Sequence, residues 1–161
     1  MSDVRVLGPD DWPSWREIRL LALLDSPDAF GSTHAREVAF TDEDWRERLE
    51  SGESVSVLAE DAAGRAVGMG CGFPDRPASV HVVAMWVAPH ARGRGVAHDV
   101  LRCIEAWAAE RGLGLHLDVN TRNTVARRSY ERYGFVATGS TRPLRTGSTD
   151  LVENLVLPIR H

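Results

Sequence analysis

No lysine occurs anywhere in the 161 residues; all 19 side chains counted as lysine or arginine are arginine. A P-loop nucleotide site is thereby excluded, because its G-x-x-x-x-G-K-[ST] pattern needs a lysine on the phosphates. Long apolar runs are missing too. No stretch approaches the roughly 18 apolar residues of a membrane-spanning helix. The start, MSDVRVLGPDD, has neither a basic-then-apolar signal pattern nor an arginine-rich amphipathic leader, so a cytoplasmic protein without a membrane partner is expected. Cysteine is scarce: Cys71 and Cys103 stand 32 residues apart with no CxxC pairing, which reads as two reduced, buried thiols and argues against structural zinc. No metal is expected.

What is present suits one domain over residues 1–161, at 43% hydrophobic and 26% charged. The net charge of −4 hides an asymmetry, for residues 1–61 hold 15 acidic and 6 basic groups whereas residues 62–161 hold 8 and 13. Such a balance does not point to nucleic acid. Arg122, Arg127, Arg128 and Arg132 lack an aromatic platform and read as a solvated helix face.

The pattern of apolar residues and turn signals gives the order β-α-α-β-β-β-α-β-α-β-β. "VRVL" is a short strand; a helix follows, with a cap near Asp11, Pro13 in its first turn and Trp15, Ile18, Leu21 and Ala22 on its apolar side. Thr41 and Asp44 form a capping-box pattern before a second helix that carries Trp45 and Leu49. Three strands come next, then a helical stripe from Val96 to Ala108 ending near Gly112, the strand "LGLHLDVN", a helix stopped by Gly134, and two closing strands. The fold class expected is α/β of the mixed α+β kind: a central, mostly antiparallel sheet of about seven strands flanked by about four helices, with one strand-helix-strand crossover.

At that crossover stands "VAPHARGRGVAHDVL". A glycine turn leading into a helix offers free backbone N–H groups and the positive end of the helix dipole, a natural place for phosphate. Gly93 and Gly95 permit close approach, while Arg92 and Arg94 add charge-assisted contacts. A Rossmann G-x-G-x-x-G turn fits poorly, since His98 occupies the third glycine position, although Asp118 stands where an acid is wanted. Taken alone, the turn equally reads as a loop that merely ends before a helix.

Read together with "LDVN", Asn123, Ala126 and "YERYGF" downstream, the stretch resembles the GCN5-related N-acetyltransferase (GNAT) family over residues 54–157, with a compatible order of elements before them. Arg92, Gly95 and Ala97 occupy the defined positions of the family signature [QR]-x-x-G-x-[GA]. The resemblance implies that Arg92, Gly93, Arg94, Gly95, Val96 and Ala97 wrap the pyrophosphate of acetyl-CoA, with His98 where many members carry a small hydroxyl residue. It implies further that Asn123 bonds the pantetheine arm, that Ala126 permits its approach, and that Tyr130 gives its phenolic proton to the departing thiolate. Met85, Trp86 and Val87 would hold the acetyl carbonyl through backbone N–H groups. His81, four residues before them, would be the base that deprotonates the amine, with Glu37, Asp118 or water as substitutes; strand alternation predicts that His81, Val83, Met85 and Val87 share one face.

The implied function is direct transfer of acetyl from acetyl-CoA, used as a co-substrate without metal, to a primary amine. A small cationic amine is preferred, because Asp25, Asp28 and Glu37 surround the expected acceptor wall, "SPDAFGSTHAREVAF". A peptide N-terminus is the second acceptor class, a non-catalytic acyl-CoA-binding module the second functional class, and a homodimer the alternative to a monomer. Phe30, Phe40 and Trp45 are read as either pocket wall or core.

Overall fold

The computed structural model describes residues 3–50 and 52–159, without the Asp28 side chain. In chain order the elements are β1 (Asp3–Val6), α1 (Trp12–Asp25), α2 (His34–Val38), α3 (Asp42–Glu50), β2 (Val55–Glu60), β3 (Ala66–Arg76), β4 (Ser79–Val87), α4 (Val96–Ala109), β5 (Gly114–Asn120), α5 (Thr124–Tyr133), β6 (Val136–Pro143) and β7 (Leu151–Leu157). The mixed α/β class and the seven strands match the expectation. Helices number five among the described residues, against the about four expected. The additional one, α2, is five residues long with Thr33 as its cap, its hydroxyl accepting from the Arg36 N–H at 3.2 Å. A helix of that length is shorter than two turns, so it leaves no readable 3.6-residue period.

Capping chemistry separates the two predicted helix starts. Thr41 and Asp44 form the reciprocal box, Asp44 N–H donating to Thr41 Oγ1 at 3.1 Å and Thr41 N–H to Asp44 Oδ2 at 2.9 Å. Asp11 precedes α1 but makes no side-chain cap bond to it. Its carboxylate instead accepts from the Gly8 N–H at 2.8 Å and pairs with Arg5.

One seven-stranded sheet runs in the order β1-β2-β3-β4-β5-β7-β6. Every neighbouring pair is antiparallel except β4 and β5, joined by the α4 crossover. That parallel pair is short, from Ser79 opposite Gly114 to Val82 opposite Leu117. Two cores lie against the sheet. On one face Val96, Val100, Leu101, Ile104 and Ala108 of α4 pack with Val80, Val82, Leu117 and Leu155, and Tyr133 and Phe135 extend this core at the end of α5. On the other, Trp15, Ile18, Ala22 and Leu23 of α1 meet Trp45 and Leu49 of α3 over Leu58, Met69 and Trp86. Phe30 and Trp45 are thus core residues, and Phe40 packs at the edge of that core.

The glycines at alternate positions of β3 let α4 come close. A Cβ on Gly70 would stand 2.5 Å from Met85 Sδ and 2.8 Å from Val100 Cγ1, and one on Gly68 2.7 Å from Val96 Cγ1. A valine at Gly70 therefore has to push α4 or Met85 away. Gly70→Val is expected to lower stability by about 2 kcal/mol, read as a fall in the urea midpoint at unchanged slope.

In β4 the predicted alternation fails at one residue. Ala84 takes a left-handed φ of 59°, and the register against β3 shifts between Met69 and Cys71, which face Trp86 and Val83 respectively. A β-bulge sits there. Before it, Val80 and Val82 face α4; beyond it, Met85 and Val87 pack on that side. His81 and Val83 consequently do not share a face with Met85 and Val87, and His81 lies on the opposite side, in ring contact with Phe73.

Candidate active site

Beyond Val82 and Leu117 the two parallel strands have no pairing with each other, and they splay. The opening is a cleft of about 380 Å³, lined by His81, Val83, Ala84 and Met85 from β4, Asp118 and Asn120 from β5, Asn123, Ala126 and Tyr130 at α5, and Arg19, Phe30 and Arg142 around its rim. The bulge and the splay together leave the β5-facing edge of β4 without a partner strand. Backbone groups on that edge are open to a ligand, which is what binding of a carbonyl oxygen by main-chain N–H groups needs. Of the three residues expected to hold the acetyl group, Met85 lines the cleft. Trp86 turns its side chain into the core and donates from Nε1 to Asp25 Oδ2 at 3.1 Å, and the Val87 carbonyl accepts from Arg92 Nε at 2.9 Å.

The glycine turn before α4 is as sharp as its composition suggests. Gly93 and Gly95 have φ of 79° and 81°, left-handed values that any side chain would strain, and neither has an atom within 4 Å of where a Cβ would stand. Space over the turn is open. Gly95 is the N-cap residue of α4 and makes no side-chain cap bond, so the first amides of the helix have no side-chain acceptor from it. Residues 92–98 do not line the cleft; they stand beside it. Their side chains divide. Arg92 is tied down, Nη2 donating to Asp25 Oδ2 at 2.8 Å, and Val96 is buried against β3. Arg94 is exposed and has no bonded partner among the described residues. His98 turns away toward α5, its Nε2 2.9 Å from the Ser129 carbonyl and its ring edge-on to Tyr133.

At α5, Asn123 is the cap, Oδ1 accepting from the Ala126 N–H at 3.0 Å, which leaves its amide NH₂ to donate elsewhere. Tyr130 lines the cleft, and its hydroxyl has no bonded partner among the described residues. Burial pushes its phenol up to about 12, so it keeps its proton throughout the neutral range.

Of the three candidate bases, Glu37 and Asp118 are each paired with arginine, whereas His81, among the described residues, is not. Glu37 is fully buried, with both oxygens taken by Arg19 at 2.9 Å and one also by Arg48 at 3.2 Å. Burial alone would raise its carboxyl, but the hydrogen bonds from Arg19 and the two guanidinium charges outweigh that and hold it below its ordinary value. It is a structural ion. For Asp118 burial likewise pushes up, and the hydrogen bonds from Asn154 and Arg142 with the Arg142 charge win, holding the carboxyl well below the usual range. A carboxylate held there takes no proton near pH 7. The acidic acceptor wall is also corrected: Asp25 is paired with Arg92 and Glu37 with Arg19 and Arg48, while the Asp28 side chain lies outside the described residues.

His81 sits between two carboxylates, Nδ1 3.4 Å from Asp75 Oδ2 and Nε2 3.5 Å from Asp118 Oδ2, with its ring stacked on His116 at 4.5 Å and 11°. Asp75, His116 and Asn154 were not picked out from sequence. They come from β3, β5 and β7, and no spacing within one element announces them. The only signal available was His116 on a strand two residues before Asp118.

Comparison with known proteins places this geometry. The sequence model of the acetyltransferase (GNAT) family matches residues 13–135. An acetyltransferase of Agrobacterium fabrum is 39% identical over 71 residues, which are 44% of this chain; the chain spans about half, 50%, of that relative's length. A GCN5-related N-acetyltransferase from Kribbella flavida is similar with a TM-score of 0.72 at 26% identity, covering 98% of each chain. An acetyltransferase of the GNAT family from Streptococcus pneumoniae shares the fold at a TM-score of 0.77 and 20% identity, over 97% of this chain and 98% of its own. With a splayed parallel strand pair, a glycine turn at the crossover helix and a family match over most of its length, this chain belongs to the acetyltransferase (GNAT) family.

Proposed function

We propose that the protein transfers the acetyl group of acetyl-CoA directly to a primary amine of a small molecule. The observation that carries this reading is the splay itself: one cleft holds an open backbone edge, a phenol with a free proton and a histidine between carboxylates. A cleft of about 380 Å³ is at the small end of ligand sites and favours a small acceptor over a peptide. Family membership supports acetyl-CoA as the donor.

The donor fits the residues present. The open space over Gly93 and Gly95 and the N-terminus of α4 suit a pyrophosphate, which the backbone of residues 93–97 and the Arg94 guanidinium would hold. Arg92 contributes by fixing the turn to β4 and α1 rather than by a free charge. His98 braces α4 against α5. Asn123 donates its NH₂ to the arm of the donor, and Ala126 leaves room for it. When bound, acetyl-CoA supplies an activated acyl group. The β4 edge at Met85 donates hydrogen bonds to the carbonyl oxygen as charge grows on it. His81 removes a proton from the acceptor ammonium, which ionised Asp118 attracts, and Tyr130 donates toward the leaving sulfur. Asp118 is itself paired with Arg142, so the acceptor needs one ammonium rather than several positive charges.

Two measurements test this. Acetyl-CoA at 100 times its dissociation constant is expected to add about 2.7 kcal/mol of stability, a rise of several degrees in Tm, and Arg94→Glu should remove most of that rise. No shift in the wild type would sink the donor assignment. A panel of small primary amines and short peptides, scored for CoA release, tests the acceptor: turnover confined to peptides would overturn the small-molecule reading.

A further inference from the structure

His81 and four other polar side chains close into a ring. His81 meets Asp75 and Asp118; Asp75 Oδ1 accepts from His116 Nε2 at 2.7 Å; His116 Nδ1 lies 3.0 Å from Asn154 Nδ2; and Asn154 Nδ2 donates to Asp118 Oδ1 at 3.0 Å. Arginines stand at two corners, Arg76 Nη2 2.9 Å from His116 Nδ1 and Arg142 on Asp118.

The hydrogen-bond inventory fixes the tautomers. An arginine only donates, so His116 Nδ1 is an acceptor, and its single proton is on Nε2, pointing at Asp75. Burial pushes His116 down and is opposed by the bond to Asp75; the net shift is downward, so the ring stays neutral at pH 7. The same inventory speaks against a cation here, although the ligand-type atoms of Asp75, His81 and His116 lie within 4.8 Å of one another. A metal at Nε2 would have to expel that proton while Nδ1, faced by two donors, has no room to take it. For His81, Asp118 is already supplied by Arg142 and Asn154, whereas Asp75 Oδ2 has no other partner among the described residues. The one N–H of the neutral His81 ring therefore goes to Asp75.

We propose that Asp75 and His116 are positioning residues for the transfer: Asp75 fixes the Nδ1–H form of His81, which leaves the lone pair on Nε2, the nitrogen beside Asp118 of the cleft wall, and the stacked His116 holds Asp75 in place. The inference rests on His81 acting as the base. In the step itself a proton passes from the acceptor ammonium to His81 Nε2, leaving the neutral amine to attack; the C–N bond forms, the C–S bond breaks, and the second proton of the attacking nitrogen ends on the departing sulfur. The imidazolium then has two N–H groups for its two carboxylates, and it returns the extra proton to water after the product leaves. His116, being neutral, adds no second positive charge beneath it. Facing His81 are Asp75 from β3, His116 and Asp118 from β5 and, through Asp118, Arg142 from β6.

The test uses the full chain. In long-range ¹H–¹⁵N spectra, wild-type neutral His81 is expected as the Nδ1–H form and His116 as the Nε2–H form; Asp75→Asn should convert His81 to Nε2–H or to a mixture. In turnover, using the amine that releases most CoA in the panel above, Asp75→Asn should lower kcat about 10-fold at pH 7 with the acetyl-CoA KM within about twofold, and Asp75→Glu should recover most of it. An unchanged His81 tautomer in Asp75→Asn overturns the proposal, as does one-to-one zinc binding in calorimetry that His116→Gln abolishes. His81→Gln separates the two readings. If it removes the acidic limb of the pH–rate profile while Asp75→Asn leaves rate and profile unchanged, the positioning role falls and the base stands. If His81→Gln itself leaves the profile unchanged, the base reading falls first.

Discussion

Replacing Tyr130 by phenylalanine is expected to lower turnover about 100-fold while the acetyl-CoA KM stays within about threefold. The ring remains to pack edge-on against Phe135, at 6.0 Å, so the wall of the cleft is preserved and only the hydrogen is lost. Equal losses in turnover and in cofactor affinity would instead make the ring a positioning element. The raised phenol also sets what kind of help it gives. A thiol ionises near 8.5 and this phenol at about 12, so complete transfer of its proton to sulfur is uphill. A strong hydrogen bond to the developing thiolate is the larger part of its contribution. The sign for stability follows as well: a phenol whose folded value exceeds the unfolded value near 10 leaves stability intact below pH 10 and withdraws it as pH rises toward 12. Tyr130→Phe should therefore lose less stability than wild type over that interval in chemical denaturation.

Glu37→Ala is expected to be the most destabilising single change, costing about 3–5 kcal/mol, since it strands a nearly buried arginine without its counter-charge. Arg19 gives both Nε and Nη2 to Glu37, and its Nη1 is buried with no partner among the described residues. Among the described residues Glu37 is the anion paired with this guanidinium. Replacing both members, as in Arg19→Met with Glu37→Leu, should recover much of the loss, because two apolar side chains need no pairing. Urea unfolding of the three variants decides the matter; a double variant no better than Glu37→Ala would mean that shape rather than charge is at stake. Glu37 has a lowered folded value, so its contribution is present above the unfolded value near 4.3 and is lost as pH falls through the lower folded one. The acid-induced loss of stability should be shallower in the double variant. Arg19 lines the cleft, so the same change should weaken acceptor binding.

What could be read from the sequence was what one element writes by itself. The stripe Val96, Val100, Leu101, Ile104 and Ala108 gave α4, and alternating glycine and arginine before it gave the turn, because helix period and left-handed φ both select residue types locally. The capping box at Thr41 and Asp44 was legible for the same reason. Partners brought together by the sheet were not. Asp25 and Glu37 looked like a free acidic wall, yet their arginines come from positions 19, 48 and 92, distant along the chain. Asp75, His116 and Asn154 join His81 from three other strands. The bulge was hidden for a different reason: alanine at residue 84 is not a residue type that advertises a positive φ.

That bulge makes β4 a wave of period two with a phase slip of one residue in its middle. The slip keeps both halves on one side of the sheet, Val80 and Val82 meeting α4 on the even beat and Met85 and Val87 on the odd one. Deleting Ala84 would match β4 to β3 residue for residue and leave Val80, Val82, Met85 and Val87 on one face by plain alternation, with the bulge gone. Loss of that residue should thus spare the packing against α4 and remodel the edge of the cleft.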